Sequence, residues 1–409
     1  MKFAALVGVK DEVELVGPCV AHLREIGVDQ IVVSDYGSTD GTLDILGDEQ
    51  RIGDLTLESV DGATVADYDL WSVRERALAE STGADWVLFL DADEFWIPAS
   101  GSLRDCRHLL DADVLSVDRF NVAVSARQQS LPVASWLERH AELPLYTTMA
   151  ANLRKHVEDH PDVPFITLMP GHKVMARPHA IERVEPGSHD VSGSADAAIR
   201  RHPAQDLLIA HVFFSTAERF LRKLDNIRAE LAQNPDCYDG DLAWHWKRWA
   251  AMSDDAIDRE FALQMPDDAA LSLLRDRAIV RSAQEIFVER LRLELSATEA
   301  ELRSSEAERE RLLLQLDIDG AERTQLRDGL AASEAETVRL HEALVASEAE
   351  RTRLHEALVA SEAERIRLRD ELGILEDEQA QLEATINRIA NSKGWRFLER
   401  LRGARQRLS

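Results

Sequence analysis

The chain has 409 residues, more than one ordinary hydrophobic core takes up, and a formal net charge of −27. That acidity excludes a general nucleic-acid binder, because phosphate contacts need Lys and Arg. Cys19, Cys106 and Cys237 form neither a metal-type spacing nor an even disulfide framework. No run approaches the ~20 apolar residues of a membrane helix, and Phe3–Val9 followed by Asp11, Glu12 and Glu14 is no secretory signal, so a bacterial-type cytoplasmic protein is expected.

Along residues 1–120 strand-like and helix-like segments alternate. Phe3–Val9 reads as a strand, and Val13–Ile26 has helical spacing through Val13, Val16, Val20, Leu23 and Ile26. Gln30–Ser34 is a second strand, followed by a turn over Asp35–Gly41 and a short helix from Thr42. Leu55–Val60 is a third strand, Trp71–Ser81 a helix, and Trp86–Leu90 a fourth strand. This rhythm predicts an α/β domain with a mostly parallel, Rossmann-like sheet. Val114–Val124, Phe165–Met169 and Leu207–Phe214 read as further strands, and Thr216–Ala232 as a helix. The Pro/Asp/Gly-containing stretch 234–241 suggests a boundary. Beyond it residues 242–295 read as helical, with Trp244, Trp246 and Trp249 forming a packed satellite core in preference to a stacking platform.

Residues 305–374 repeat every fourteen residues, most clearly in SEAETVRLHEALVA from Ser333, SEAERTRLHEALVA from Ser347 and SEAERIRLRDELGI from Ser361. Fourteen residues are two heptads, so Leu340 and Leu344, and their counterparts Leu354 and Leu358, share one seam. The alternate seam positions are polar, as at Ser347 and Arg351. A long helix of roughly 105 Å and a loose coiled coil joining copies of the chain are expected. After it, residues 391–409 carry six basic residues against Glu399 alone, interleaved with Trp395, Phe397, Leu398 and Leu401. Such a tail can lie on an anionic membrane or dock on its own protein. The expected organisation is thus 1–235 as an α/β domain, 236–295 as a helical subdomain, 296–390 as a coiled coil and 391–409 as a basic amphipathic tail.

The chemistry is sought at the ends of the first strands. Trp86–Leu90 ends in Asp91-Ala92-Asp93-Glu94. Carboxylates at the carboxyl end of a strand in an open α/β sheet stand where ligands bind, and two together suit a hard divalent cation. Read alone, they serve equally well as turn residues. Glu12 follows the first strand, where a helix dipole also favours a carboxylate, and Asp35 follows the second. Gly37 and Gly41 permit the tight turn, while Ser38, Thr39 and Asp40 are read as turn and helix caps.

Taken together, Leu6-Val7-Gly8-Val9-Lys10-Asp11-Glu12, the turn Asp35-Tyr36-Gly37-Ser38-Thr39-Asp40-Gly41-Thr42 and Asp91-Ala92-Asp93 resemble the family 2 glycosyltransferases, in the branch related to family 92. Gly171–Pro178, Pro186–His189, Ala210–Ser215 and Thr216–Lys223 look like later landmarks of that branch. The resemblance covers roughly residues 1–235. It implies a GT-A fold that moves a sugar from a nucleotide-diphosphate sugar to a hydroxyl of a glycan or glycolipid acceptor. It further implies inversion at the anomeric carbon, in cell-surface polysaccharide biosynthesis. The DxD-type pair Asp91 and Asp93 would hold Mn or Mg, with His211 or His189 as a third ligand. Asp35 and Glu12 would take base or ribose, and Lys173 and Arg177 the diphosphate. The base would come from Asp190, His189, Asp159 or Glu158. Asp11 stands where the branch often has Asn. No Gln-x-x-Arg-Trp motif occurs, which disfavours a processive synthase. Two other readings are an inactive domain serving as a coiled-coil scaffold, and a nucleotidyltransferase. The latter lacks its glycine-rich loop after the first strand.

Overall fold

The computed structural model describes residues 1–61, 67–125, 135, 142–147, 153–160, 163–168, 170–193, 198–234, 244–316 and 323–391. The chain divides into two compact units, Met1–Arg290 and Leu291–Ser409.

The first unit is an α/β domain built on an eight-stranded sheet ordered β3-β2-β1-β4-β8-β6-β11-β5. Its strands are β1 (Phe3–Val9), β2 (Gln30–Asp35), β3 (Leu55–Ser59), β4 (Trp86–Asp91), β5 (Glu94–Pro98), β6 (Val114–Asn121), β8 (Lys173–Ala176) and β11 (Arg201–His211). The short strands β7 (Leu145–Tyr146), β9 (Arg183–Val184), β10 (Val191–Ser192) and β12 (Val280–Arg281) form two separate ribbons, β10-β9 and β12-β7. In the large sheet β3, β2, β1 and β4 are mutually parallel, and β6 is parallel to β11. Only β8 and β5 run the other way.

That topology places the chemistry. The carboxyl ends of β1, β2, β4, β6 and β11 share one sheet edge. The amino ends of the reversed strands β8 and β5 lie at the same edge, since Lys173 pairs with Val117 and Glu94 with His211. Arg177, after the other end of β8, and Arg201, which opens β11 opposite Val114, lie toward the far edge.

Side chains alternate across the strands, so both faces must be covered. Ala5, Val7 and Val9 of β1 pack with Val16, Cys19, Val20 and Leu23, on or beside α1 (Val16–Glu25). Ala4 and Leu6 pack on the other face with Ala79 of α3 (Tyr68–Ser81). Between these helices in sequence lies α2 (Thr42–Gln50). The side chain of Asp67 caps α3 by accepting from the N–H groups of Asp69 and Leu70.

One sequence expectation fails here, and one strand was not expected. Of the expected strand Phe165–Met169, the described residues 165–168 form none: Phe165–Thr167 is a single 3-10 turn started by Pro164, whose fixed φ and missing N–H suit a turn, and Met169 lies outside the described residues. In addition, β5 follows Asp93 directly, although the run Glu94–Pro98 begins with a charge and ends in proline. Burial at the sheet edge beside β11 overrides its weak propensity.

Past the short α4 (Leu153–Asp159), the helices α5 (Ala217–Gln233), α6 (Trp244–Ala250), α7 (Asp254–Leu263) and α8 (Asp268–Asp276) surround a second core. Phe214, Phe220, Trp249 and Ile257 form it, with Trp246 and Phe213 packed against them. Trp249 is fully buried, and its indole N–H donates to Glu260 at 3.0 Å. The tryptophan cluster is thus a satellite core. Trp249→Ala should lower stability by about 3–5 kcal/mol, read as a shifted denaturant midpoint at unchanged slope.

The second unit holds most of α9 (Ala283–Leu316) and all of α10 (Arg323–Asn391). They do not form one rod. Ser305 Oγ lies 2.9 Å from Thr337 Oγ1, and Ser333 Oγ donates to the Ser305 carbonyl. The buried Leu302 and Leu340 lie three residues from Ser305 and Thr337 in opposite chain directions, so the two helices run antiparallel. Residues 317–322, between the two helices, lie outside the described residues. The sequence there, Asp317-Ile318-Asp319-Gly320, combines poor helix formers. Around this contact Leu302, Ser305 and Leu312 of one helix, and Leu330, Ser333, Thr337, Leu340 and Leu344 of the other, are half-buried or buried. The repeat therefore serves, over its first half, as an internal hairpin seam.

Candidate active site

At the shared edge, the loop after β1 and the turn after β2 are stitched together. The Asp35 carboxylate accepts from the N–H groups of Gly37 and Ser38, both at 3.1 Å. Asp11, in the left-handed region at φ 56°, accepts from Thr39 N–H at 2.6 Å and from Asn226 Nδ2 at 2.7 Å. Glu12 N–H donates to Thr42 Oγ1, and Asp40 caps Thr42 and Val13. Gly8 sits at a close approach: a Cβ there would stand 3.3 Å from the Tyr36 ring and 3.6 Å from Asp91 Oδ1.

Beneath this turn lies a buried charge network. Arg219 of α5 uses all five of its N–H donors. Nε and Nη2 bind Glu12 at 2.6 and 2.9 Å, Nη2 also binds Asp93 Oδ2 at 2.6 Å, and Nη1 binds the carbonyls of Val212 and Phe213. Lys223, one turn on, reaches Glu12 and Asp93, both at 2.9 Å. Burial would raise the Asp93 carboxyl, but Lys223 and Arg219 together outweigh it and hold it well below the usual carboxylate range. Glu12 is thus committed to α5 rather than turned toward a ribose.

A second layer lies beside it. Lys173, fully buried, donates to Asp91 Oδ2 at 3.0 Å and stands 3.3 Å from Glu94 Oε2. Arg119 of β6 pairs with Glu94 Oε1. Burial nevertheless raises the Glu94 carboxyl, against the pull of Lys173 and Arg119. Asp91 keeps a half-exposed side chain, at 54%.

His211 ends β11 and is oriented by Asn121, which ends β6. The Asn121 amide donates to the carbonyls of Ile166 and Leu168, at 3.1 and 2.8 Å. Those two bonds turn its Oδ1 toward His211 Nδ1, 2.7 Å away. An acceptor there fixes the Nδ1–H tautomer and leaves the Nε2 lone pair free. Nε2 points at Asp93 Oδ1 across 3.8 Å. Burial, reinforced by Arg119, depresses the imidazolium strongly, so the ring is neutral.

A divalent cation fits this pair. Two bonds of about 2.1 Å span at most ~4.2 Å, so one ion can touch both Asp93 Oδ1 and His211 Nε2. Neutral imidazole and carboxylate are competent donors for manganese. Asp91 does not close a three-ligand cluster with them: among the described residues the set whose donor atoms lie within 4.8 Å of one another is His108, Asp111 and His202.

Of the other expected residues, Arg177 and Asp190 stand apart, and His189 lies near Arg119 and Lys173. Arg177 stacks on Trp86, its guanidinium carbon 4.9 Å from the ring centroid, and donates to the carbonyls of Ala112 and Leu109. Trp86 begins β4 whereas Asp91 ends it, so Arg177 is at the wrong sheet edge to clamp a diphosphate. Asp190 is engaged by Arg201 Nη1 at 2.7 Å. His189 lies against Gly171, with the His172 carbonyl 2.9 Å from its Nδ1. Burial, helped by Arg119 and Lys173, pulls its imidazolium down to about 4. Asp159 is exposed on α4, and the side chain of Glu158 lies outside the described residues.

Sequence reasoning gave no role to Arg119, Asn121, Arg219 or Lys223. A signal existed for the last two: Arg219 and Lys223 are i,i+4 cations flanking Phe220 on an amphipathic helix.

Glu75 on α3 supplies a pH handle nearby. Burial raises its carboxyl to about 7, despite Arg74 Nη1 at 2.8 Å. Unfolded, a glutamate ionises near about 4.3, so between those values the folded chain holds a proton that the unfolded chain has lost. Stability should therefore fall as pH rises from about 4.5 to about 7. Glu75→Gln should flatten that fall, measured as urea midpoints across the window.

No family model matches the chain, and no curated protein matches it. Solved structures do overlay. One is S. aureus TarS 1–349 in complex with UDP-GlcNAc, with 14% identity, TM-score 0.30 and coverage of 71% of this chain and 81% of that one. Another is glucosyl-3-phosphoglycerate synthase from Mycobacterium tuberculosis with Mn2+, UDP and glucosyl-3-phosphoglycerate. It shows 16% identity, TM-score 0.24 and coverage of 44% of this chain and 58% of that one. The chain thus spans little more than half of the synthase. Overlaps this shallow carry nothing about substrate.

Proposed function

We propose that this chain is a metal-dependent, inverting GT-A glycosyltransferase that moves a sugar from a nucleotide-diphosphate sugar to a hydroxyl of a glycan or glycolipid acceptor. One observation carries the reading. The Asp35 turn, Asp91, Asp93, Lys173 and His211, from four strands and the turn between β4 and β5, converge at one sheet edge. Ligands in open α/β sheets bind at such an edge.

In this reading Asp93 Oδ1 and His211 Nε2 hold Mn or Mg, with Asn121 fixing the histidine tautomer. The bound cation would neutralise charge on the departing nucleoside diphosphate. Lys173 stands next to Asp91 and offers a buried positive charge toward the same oxygens. The Asp35 turn lines the base and ribose. His189, whose Nε2 is left to accept because its Nδ1 faces the His172 carbonyl, takes the acceptor proton in preference to Asp190, which Arg201 engages. Inversion then needs a single displacement: the acceptor oxygen bonds to the anomeric carbon as the carbon–oxygen bond to the diphosphate breaks. Arg219 and Lys223 hold Glu12 and Asp93 in place and touch no substrate.

The α10 repeats beyond residue 351 extend past any register partner in residues 291–316, which suits association of copies there. Cell-surface polysaccharide assembly at the inner face of a membrane, with the 391–409 tail on anionic lipid, is the setting this reading favours. Among the described residues no helix is long and apolar enough to cross a membrane. The test is a panel of nucleotide sugars incubated with the full chain and MnCl2. Transfer or slow donor hydrolysis that EDTA abolishes is expected. No turnover of any donor would sink the reading.

A further inference from the structure

The far edge of the sheet carries a group unconnected with this chemistry. His108 follows the 3-10 turn Leu103–Asp105, Asp111 lies three residues later, and His202 is the second residue of β11. One donor atom from each lies within 4.8 Å of the other two. The two imidazole rings stack, centroids 4.4 Å apart and planes 10° from parallel, so one ring must turn about its Cβ–Cγ bond before both in-plane lone pairs meet a single ion. His108 Nδ1 is 3.2 Å from Asp111 Oδ2. His108 adopts φ 63°, a left-handed conformation uncommon for a non-glycine residue. It is held there as its carbonyl accepts from the N–H groups of Asp111 and Ala112, at 3.3 and 2.8 Å. The three side chains are partly or well exposed, so an ion has access.

We propose that His108, Asp111 and His202 form a structural site for a borderline divalent cation of the zinc class, with water as fourth ligand. Four ligands at about 2.0–2.1 Å in a tetrahedron stand about 3.3 Å apart, close to the 3.2 Å between His108 Nδ1 and Asp111 Oδ2. Two imidazoles and one carboxylate favour zinc, nickel or cobalt over magnesium and calcium, which prefer all-oxygen shells. Bound there, the ion fastens the loop after β5 to the start of β11, while His211 at the other end of that strand faces the candidate active site. The inference stands whether or not the chain transfers sugar.

The test uses the full chain, stripped with EDTA and titrated with ZnCl2 and separately MgCl2 by calorimetry, beside the double variant H108A/H202A, the milder Asp111→Asn, and H211A. Zinc should bind the parent chain and raise its Tm. In the H211A background, which removes the other candidate cation pair, adding H108A/H202A should weaken zinc at least about tenfold, a loss of about 1.4 kcal/mol, with no Tm shift. Asp111→Asn should weaken zinc in the same direction with unchanged circular dichroism, H211A should retain the site, and MgCl2 should give no comparable Tm rise. A parent chain that ignores zinc, or zinc affinity unchanged in both Asp111→Asn and the double variant in the H211A background, would overturn the site and leave the histidines as a packing pair.

Discussion

Replacing Arg219 by leucine is expected to destabilise the first unit by about 3–5 kcal/mol, the range for removing one member of a buried ion group. The reason lies in what remains. Glu12 and Asp93 are both nearly inaccessible, and Arg219 supplies two bonds to the first and one to the second. Without it, Lys223 alone faces two carboxylates, and two backbone carbonyls lose their donor. Arg219→Lys restores the charge but not the planar fork, so it should recover only part of the loss. Chemical denaturation of the three proteins measures this. A leucine variant within about 1 kcal/mol of the parent would show that the network is not a structural keystone.

The largest effect on activity is expected at His211. His211→Ala removes the free Nε2 donor, and Asp93→Asn keeps the shape while removing the charge opposite it. Either change should lower kcat by about 10²–10³, the scale of losing one electrostatic stabiliser of a developing anion. Excess MnCl2 should rescue neither fully. Asn121→Ala should act more gently, because the imidazole remains but its tautomer and orientation are no longer fixed. Full activity in His211→Ala under limiting metal would remove the histidine from the site.

Local patterning made the strands β1, β2, β4 and β6 legible, because apolar runs ending in turn residues admit few alternatives. The repeat was equally legible as helix. Its folding back was not. The seam of Leu340 and Leu344 is compatible with any helical partner, and α9 takes that place over residues 291–316 as a matter of tertiary proximity. β5 escaped detection because five residues at a sheet edge owe their conformation to β11 rather than to their own propensity.

For the site, the sequence determined which carboxylates end strands: Asp35, Asp91 and Asp93 follow apolar runs, and that placement needs only local rules. The tertiary structure decided what each one does. The reversed direction of β8 sends Lys173 to the charged edge and Arg177 to the opposite one, though only four residues separate them. Two carboxylates one residue apart receive different partners, Lys173 for Asp91 and Arg219 with Lys223 for Asp93. Strand direction and long-range ion pairing are non-local, so no reading of neighbours along the chain could have assigned them.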